Sequence, residues 1–384
     1  MKILHTADWH VGRTIRGRSR EDEHRQVLAE IAAIAAGEEV DLVLVAGDIF
    51  DTASPAPGSE EIVYRALLDL AQVAPVIMVA GNHDHPGRLR AVSPLLELGR
   101  VRVGSSVQRP HEGGVISVPG LPVRVAMVPF VTKRGIVRVE QIMSLESSEL
   151  IGEYADRVAR IIEALCSGMT PDAVNILMGH LMVMGGATGG GERQAHLFDY
   201  GVPALAFPGD LSYVALGHLH RPQRIAAPAP IWYSGSPLQL DFGEEEDRKS
   251  VLLIEGEPSL PVRVESRALT SGKRLRTLRG TLAQLESMVG DVGEAFLRVE
   301  LEEKGRVGLA DDVRAMMPGA VEIRLAIPDT GPGAKMIPRR LGRDPGELFR
   351  EYLGARNVDD PGLVALFDEL LAESQEPESH GPDG

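Results

Sequence analysis

A chain of 384 residues has room for two or three domains, and 43% hydrophobic with 25% charged residues supplies a sizeable globular core. No apolar run approaches the roughly 20 residues that cross a bilayer. Asp8 and His10 interrupt the N-terminal apolar stretch before it can act as a signal peptide, and the lone Cys166 excludes an intrachain disulfide, so the chain reads as cytoplasmic. A net charge of −15 argues against a nucleic-acid partner, and 4% aromatics against a lectin-like or base-stacking surface.

Residues 1–266 alternate strand and helix patterns. Leu42–Ala46, Val76–Ala80, Val123–Val128, Val174–Met178 and Tyr213–Leu216 are short, β-branched runs that read as buried strands. Glu21–Ala36 reads as a helix with acids in its first turn and a stop at Gly37. Ser59 is the expected N-cap of a second helix, and Glu149–Cys166 reads as a third. Strands at Ile231–Tyr233, Ser250–Ile254 and Val262–Ser266 follow without intervening helices. The fold class is α/β: two packed mixed sheets with helices outside.

The pattern changes near residue 267. Helices at Thr281–Val289 and Leu309–Met317 and strands at Phe296–Leu301 and Ala320–Ala326 make a small α+β unit over 267–327. Such a unit is too short for a large core of its own. A Pro- and Gly-rich linker follows over 328–342. Asp344-Pro345 and Asp360-Pro361 then open two amphipathic helices within 343–373, and a polar tail over 374–384 reads as disordered. The two helices form either a hairpin packed on the body or a docking surface for another protein's helices.

Four of the strand-like runs end on glycine followed by a metal-ligand residue type: Gly47-Asp48, Gly81-Asn82, Gly179-His180 and Gly217-His218. A fifth runs into Asp8-Trp9-His10, and His220 follows His218 by two. Ligands of open α/β sheets gather at the carboxyl ends of strands. Asp8, His10, Asp48, Asn82, His180, His218 and His220 can therefore serve two metal ions, provided one carboxylate bridges. Mixed imidazole, carboxylate and amide ligation suits manganese, iron or zinc and not a sulfur-rich structural site. Glycine before the ligand keeps side chains from crowding the backbone.

Two arginine-rich stretches stand out. Arg13, Arg16, Arg18 and Arg20 follow the first ligand pair, and Lys273, Arg274, Arg276 and Arg279 lie in 271–280. Each either neutralises nucleic-acid phosphates or is a solvated face. The acidic run Glu244–Asp247 carries part of the negative balance. The loop Gly185–Gly191 lacks the Gly-Lys-Ser/Thr of a phosphate-binding loop, so no nucleotide is expected on this chain. His5, His24, His85 and His111 read as surface or structural residues.

Asp8-Trp9-His10, Gly47-Asp48-Ile49-Phe50-Asp51, Gly81-Asn82-His83-Asp84, Gly179-His180 and Gly217-His218-Leu219-His220 resemble, in order and spacing, the motifs of calcineurin-like metallophosphoesterases. The opening Met1–Gly12, Gly47–Ala53, Tyr233-Ser234-Gly235-Ser236-Pro237 and the C-terminal helices are similar to the SbcD family of bacterial nuclease subunits. Thr52-Ala53 and Asp84 depart from the arginine and glutamate that protein phosphatases of the superfamily carry there.

The resemblance implies a four-layer α/β/β/α metallophosphoesterase sandwich, a small capping domain and two divalent ions, manganese first and magnesium the alternative. One ion would take Asp8, His10 and His220, the other Asn82, His180 and His218, with Asp48 bridging. His83 would act on the reacting phosphate or the departing 3′ oxygen, with Asp51, or alternatively Asp84, orienting it. The implied function is a manganese-dependent DNA exonuclease and endonuclease for double-strand-break repair. The implied partners are duplex DNA, an SbcC-like SMC-family coiled-coil ATPase gripped by the C-terminal helices, and a second copy of the chain within a heterotetramer. Two competing readings are a small-molecule phosphodiesterase or nucleotide pyrophosphatase, and a scaffold protein that keeps the fold without the chemistry.

Overall fold

The computed structural model describes residues 1–133, 135–136, 154–189, 192, 200–326, 346, 349–350, 352–353 and 362–367. In chain order the first half runs β1 (Lys2–Thr6), α1 (Glu21–Gly37), β2 (Leu42–Val45), α2 (Pro57–Val73), β3 (Val76–Val79), α3 (Pro86–Leu98) and β4 (Val101–Gly104). Next come β5 (Val115–Ser117), β6 (Val123–Val128), α4 (Tyr154–Cys166), β7 (Val174–His180), β8 (Met182–Val183), β9 (Gly201–Val202), β10 (Tyr213–Gly217), β11 (Gln223–Ile225) and β12 (Ile231–Tyr233). The strands β13 (Ser250–Glu255) and β14 (Arg263–Ala268) return to the first sheet.

Two six-stranded sheets result, in the orders β14-β13-β1-β2-β3-β4 and β11-β12-β10-β7-β6-β5. Each holds four parallel strands, β1 to β4 in one and β12, β10, β7 and β6 in the other, with antiparallel strands at the flanks. The β-branched runs explain the layering. On β2, Leu42 and Leu44 point between the sheets with Ile77, Ile176, Met178 and Tyr213. Val43 and Val45 point the other way, onto Val27, Ile31, Val63 and Leu67 of α1 and α2. Strands buried on both faces read as continuous apolar runs. Each such Leu, Ile or Val contributes about 1.5–3 kcal/mol on burial. The helix α4 buries Val158, Ile161, Ile162 and Leu165 and packs on β6 of the second sheet and on β9, which pairs with β8 alone. The result is the α/β/β/α order of layers.

Three local expectations change. The second helix starts at Pro57 with Ala56 at its N-cap, and Ser59 lies buried inside its first turn. Proline is suited to the first helical position because its missing N–H has no partner to lose there. The helix α3 and strand β4 are additions to the expected elements; Pro94 inside α3 obscures its period. The basic stretch 271–280 contains a strand, β15 (Leu275–Gly280).

That strand opens a three-stranded parallel sheet with β16 (Phe296–Leu301) and β17 (Ala320–Leu325), connected through α5 (Leu282–Met288) and α6 (Leu309–Met316). Thr281 and Gln284 form a capping box at the start of α5. The unit has a small core of its own, built by Leu285, Leu297, Val299, Leu301, Leu309 and Val313.

The chain divides into two compact units: residues 1–192 with 200–327, and residues 193–199 with 328–384. In the second, Phe349 stacks on Phe367 with ring centroids 4.1 Å apart, and residues 362–367 are helical. The linker 328–342, the tail 374–384, residues 149–153 of the expected third helix and Gly190-Gly191 lie outside the described residues. No described helix is long and apolar enough to cross a membrane.

Candidate metal centre

The strands β1, β2, β3, β7 and β10 all end on one side of the sandwich, and the residues that follow them meet there. Parallel pairing aligns the ends: Gly217 sits opposite His180 in the β10–β7 register, and Thr6 opposite Val45 in β1–β2. The turns beyond are cross-linked, Asp8 N–H donating to Gly47 carbonyl at 2.9 Å and His10 N–H to Asp48 carbonyl at 3.0 Å. The glycines are there for space. A Cβ at Gly81 would fall 2.1 Å from Asp48 Oδ1, and one at Gly47 would fall 2.4 Å from His180 Nδ1.

All seven predicted ligands converge. Asp8, His10 and His220 offer atoms within 4.8 Å of one another. Asn82 Oδ1 lies 3.0 Å from His180 Nε2 and 2.9 Å from His218 Nδ1. Between the two groups stands Asp48, with Oδ2 3.5 Å from His10 Nε2 and 3.4 Å from His180 Nε2. Its Oδ1 accepts the His83 main-chain N–H at 2.8 Å.

The donor set fits cations. Asp8 Oδ2 and His10 Nε2 are buried with no hydrogen-bond partner, a costly state for a carboxylate unless a positive charge faces it. Burial pushes the Asp8 carboxyl up to about 7, against the pull of His180 and His220. Asp48 is held well below the usual carboxylate range because His180 and His83 outweigh its burial.

Residues behind the ligands fix their direction. His180 Nδ1 contacts the Ala46 carbonyl at 2.9 Å, leaving Nε2 for the centre. Glu244 Oε1 lies 2.9 Å from His220 Nδ1, and its Oε2 accepts from Lys249 Nζ at 2.7 Å. Partners of this kind orient a ligating imidazole and raise its basicity. Glu244 was hidden from sequence reasoning in the acidic run Glu244–Asp247, which looks like a solvated face yet is buried at Glu244 and Asp247. His5 and His24, also buried, are structural, His5 bonding Tyr213 and His24 the Arg20 carbonyl.

The expected orientation of His83 is realised differently. Its Nδ1–H donates to the main-chain carbonyl of Asp51 at 2.7 Å. The Asp51 carboxylate instead faces His10 Nδ1 at 3.3 Å, outside hydrogen-bond alignment, and accepts from Arg13 at 3.2 Å. Asp84 does not serve His83 either. Its two oxygens accept main-chain N–H groups of Ile49, Phe50 and Gly81, tying the turn after β2 to the turn after β3. Burial and the charge of Asp48 raise its carboxyl to about 6.

The four arginines separate. Arg13 pairs with Asp51, and Arg16 with Glu322 at 2.9 Å and Asp241 at 3.8 Å. Arg20 is buried, bidentate on Glu23 and donating to the Gln239 carbonyl, so it cannot reach a nucleic-acid backbone. Arg18 is exposed.

Residues 1–222 match the calcineurin-like phosphoesterase family, and the chain belongs to it. Within that family it is similar to the SbcD components of the SbcCD nuclease: the Bacillus subtilis SbcD is 33% identical over 98% of this chain and 99% of its own length. The SbcD proteins of Rhodobacter capsulatus and Staphylococcus epidermidis are 36% identical over 64% of each chain and 29% identical over 66% of each.

Proposed function

We propose that this chain is the nuclease component of an SbcCD-type complex, a divalent-metal-dependent hydrolase of DNA phosphodiesters that acts on duplex ends from the 3′ side and on single strands and hairpins. The observation that carries the reading is Asp48 Oδ2, within 3.5 Å of both His10 Nε2 and His180 Nε2 and so between two groups of candidate ligands, in a chain similar over 98% of its length to a protein named for the SbcCD nuclease. Asp8, His10 and His220 would hold one cation, Asn82, His180 and His218 the other, and Asp48 both. Two divalent cations, manganese in our reading, supply Lewis-acid activation of the phosphodiester when bound.

The chain's own residues do the rest. His83, its Nδ1–H fixed on the Asp51 carbonyl, holds a proton at Nε2 and delivers it to the departing 3′ oxygen. Glu244 and the Ala46 carbonyl keep His220 and His180 turned to the centre. Residues 267–327 form the cap that guides DNA, with 328–342 as its exit linker. The C-terminal segment 343–373 grips an SMC-family coiled-coil ATPase, whose basic surface offsets the acidity of this chain. Exposed Leu95 (71%) and Leu98 (85%) on α3, beside Leu68 on α2, support pairing of two copies. Nucleoid association follows from the substrate.

The test is a labelled duplex with blocked ends, incubated with Mn2+, with and without ATP and a coexpressed coiled-coil ATPase. Nicking or degradation is expected. Hydrolysis confined to phosphate monoesters or small diesters would overturn the proposal.

A further inference from the structure

Among the described residues the outer edge of β15 has no neighbouring strand, yet amides along that edge and just before it find side-chain acceptors. Lys273 N–H donates to Glu23 Oε1 at 2.8 Å, Leu275 N–H to Gln239 Oε1 at 2.8 Å and Thr277 N–H to Glu245 Oε2 at 2.6 Å. Alternate residues of a strand present their N–H groups to the same side. Three side chains of the phosphoesterase domain thus stand where a partner strand would.

Those side chains come from two segments, and both also serve one ligand group. The first begins with Asp8 and His10. Ile15 then packs with Phe242, Leu275, Phe296 and Val321, Arg16 pairs with Glu322 of β17, and buried Arg20 grips Glu23. The second segment, 239–249, carries Glu244 and Lys249. Glu244 holds His220 Nδ1, and Lys249 Nζ donates to the His220 carbonyl at 3.0 Å. Gln239 braces the same loop, its Nε2 donating to the Glu245 and Asp247 carbonyls. Asn82, in the turn after β3, and His180, at the end of β7, lie against each other, and His180 also contacts the Ala46 carbonyl.

We infer that docking of the cap and cation binding at the Asp8–His10–His220 group are linked, with Gln239, Glu245 and Glu322 as positioning residues; this rests on the two-cation reading of the centre. When β15 leaves its acceptors, the loop that presses Glu244 on His220 loses its anchor. Reciprocally, a cation on His220 stiffens that loop and holds the cap, since linkage acts with equal strength in both directions. The Asn82–His180–His218 group is joined to this circuit at Asp8, whose Oδ1 accepts the His218 N–H at 2.9 Å, and not through Glu244 or Lys249, which hold His220.

Calorimetric titration of the full chain with Mn2+ tests it. Wild type is expected to show two sites. Glu245→Ala and Glu322→Ala should each weaken one site about tenfold, the usual order for losing a partner behind a ligand, and leave the other unchanged. Glu245→Gln, which keeps an acceptor oxygen, should restore the weakened site. Hydrogen exchange of the Lys273, Leu275 and Thr277 amides should slow when Mn2+ is added to wild type but not to His220→Ala, and this arm decides even where an alanine variant fails to fold. Unchanged sites, equal weakening of both, or no slowing in wild type would overturn the linkage and leave the cation centre standing. Absence of any Mn2+ binding by wild type would instead overturn the centre.

Discussion

Asp8, His10, Asp48 and His218 have backbone φ of +53°, +46°, +50° and +104°. Side-chain-bearing residues visit this region at a cost of about 1–3 kcal/mol each and stay only where their surroundings over-determine them. Here the turns are held by one another, Asp8 and His10 donating to the carbonyls of Gly47 and Asp48. Four of the candidate ligands, Asp48, Asn82, His180 and His218, stood out because glycine precedes each of them after an apolar run. The backbone strain was not legible, since nothing local in Asp-Trp-His announces it. Glu244 was illegible for a related reason: its three acidic neighbours resemble a solvated run, and only the fold puts Lys249 and His220 against it. At this scale His83→Ala should lose cleavage by at least two orders of magnitude, the usual worth of a positioned acid, and keep both cations. Elemental analysis of the purified variant checks it: loss of one ion would make His83 a ligand, as its place within 4.8 Å of His10 and Asp48 permits.

Elements were readable where their period was clean and their ends were punctuated. The buried strands are β-branched runs stopped by glycine, and Glu21–Gly37 begins with three acids. The strand β15 was masked by Arg276 and Arg279, whose side chains bond to the Asp291 carbonyl and to Glu302 of the same small unit, and α3 by a proline in its middle. The segment after β1 shows how little a row of like charges says about where each one goes. Arg18→Ala should weaken duplex binding and lower the salt slope of log K by about one, as for one lost phosphate contact. Arg20→Ala should leave that slope unchanged and destabilise the fold by about 3–5 kcal/mol, because Glu23 is stranded without its buried partner. Fluorescence anisotropy across a salt series and denaturant unfolding measure the two; a lower salt slope in Arg20→Ala would put that side chain back on DNA.

On the scale of the whole molecule, the sandwich was legible as two sheets, but its closure was not. The strand β13 pairs with β1 from the far end of the domain, so that Ile254 lies opposite Ile3, and no local pattern encodes such a partner. The cap is held to the body partly by Glu322. Burial alone would raise this carboxyl, but hydrogen bonds from Arg16, Arg298 and Arg324 outweigh it and hold it at about 2. A carboxyl lowered from its unfolded value near 4.5 stabilises the folded state above that pH, and the contribution fades as pH falls toward 2. Wild type should therefore exceed Glu322→Gln in stability at pH 6, with the gap closing steadily below about 4.5. Parallel unfolding curves across pH 2–6 read this directly, and a gap that stays constant would remove Glu322 from the docking of the cap.

The candidate ligands of the centre are drawn from both sheets, from Asp8 near the start of the chain to His220 beyond the midpoint. Contacts between residues so far apart in sequence form only after the entropy of closing the intervening loop has been met, which places them late in folding. A chain still emerging from the ribosome has Asp8, His10, Asp48 and Asn82 well before His180, His218 and His220 exist. The candidate centre is therefore complete only once both sheets have been made and packed together.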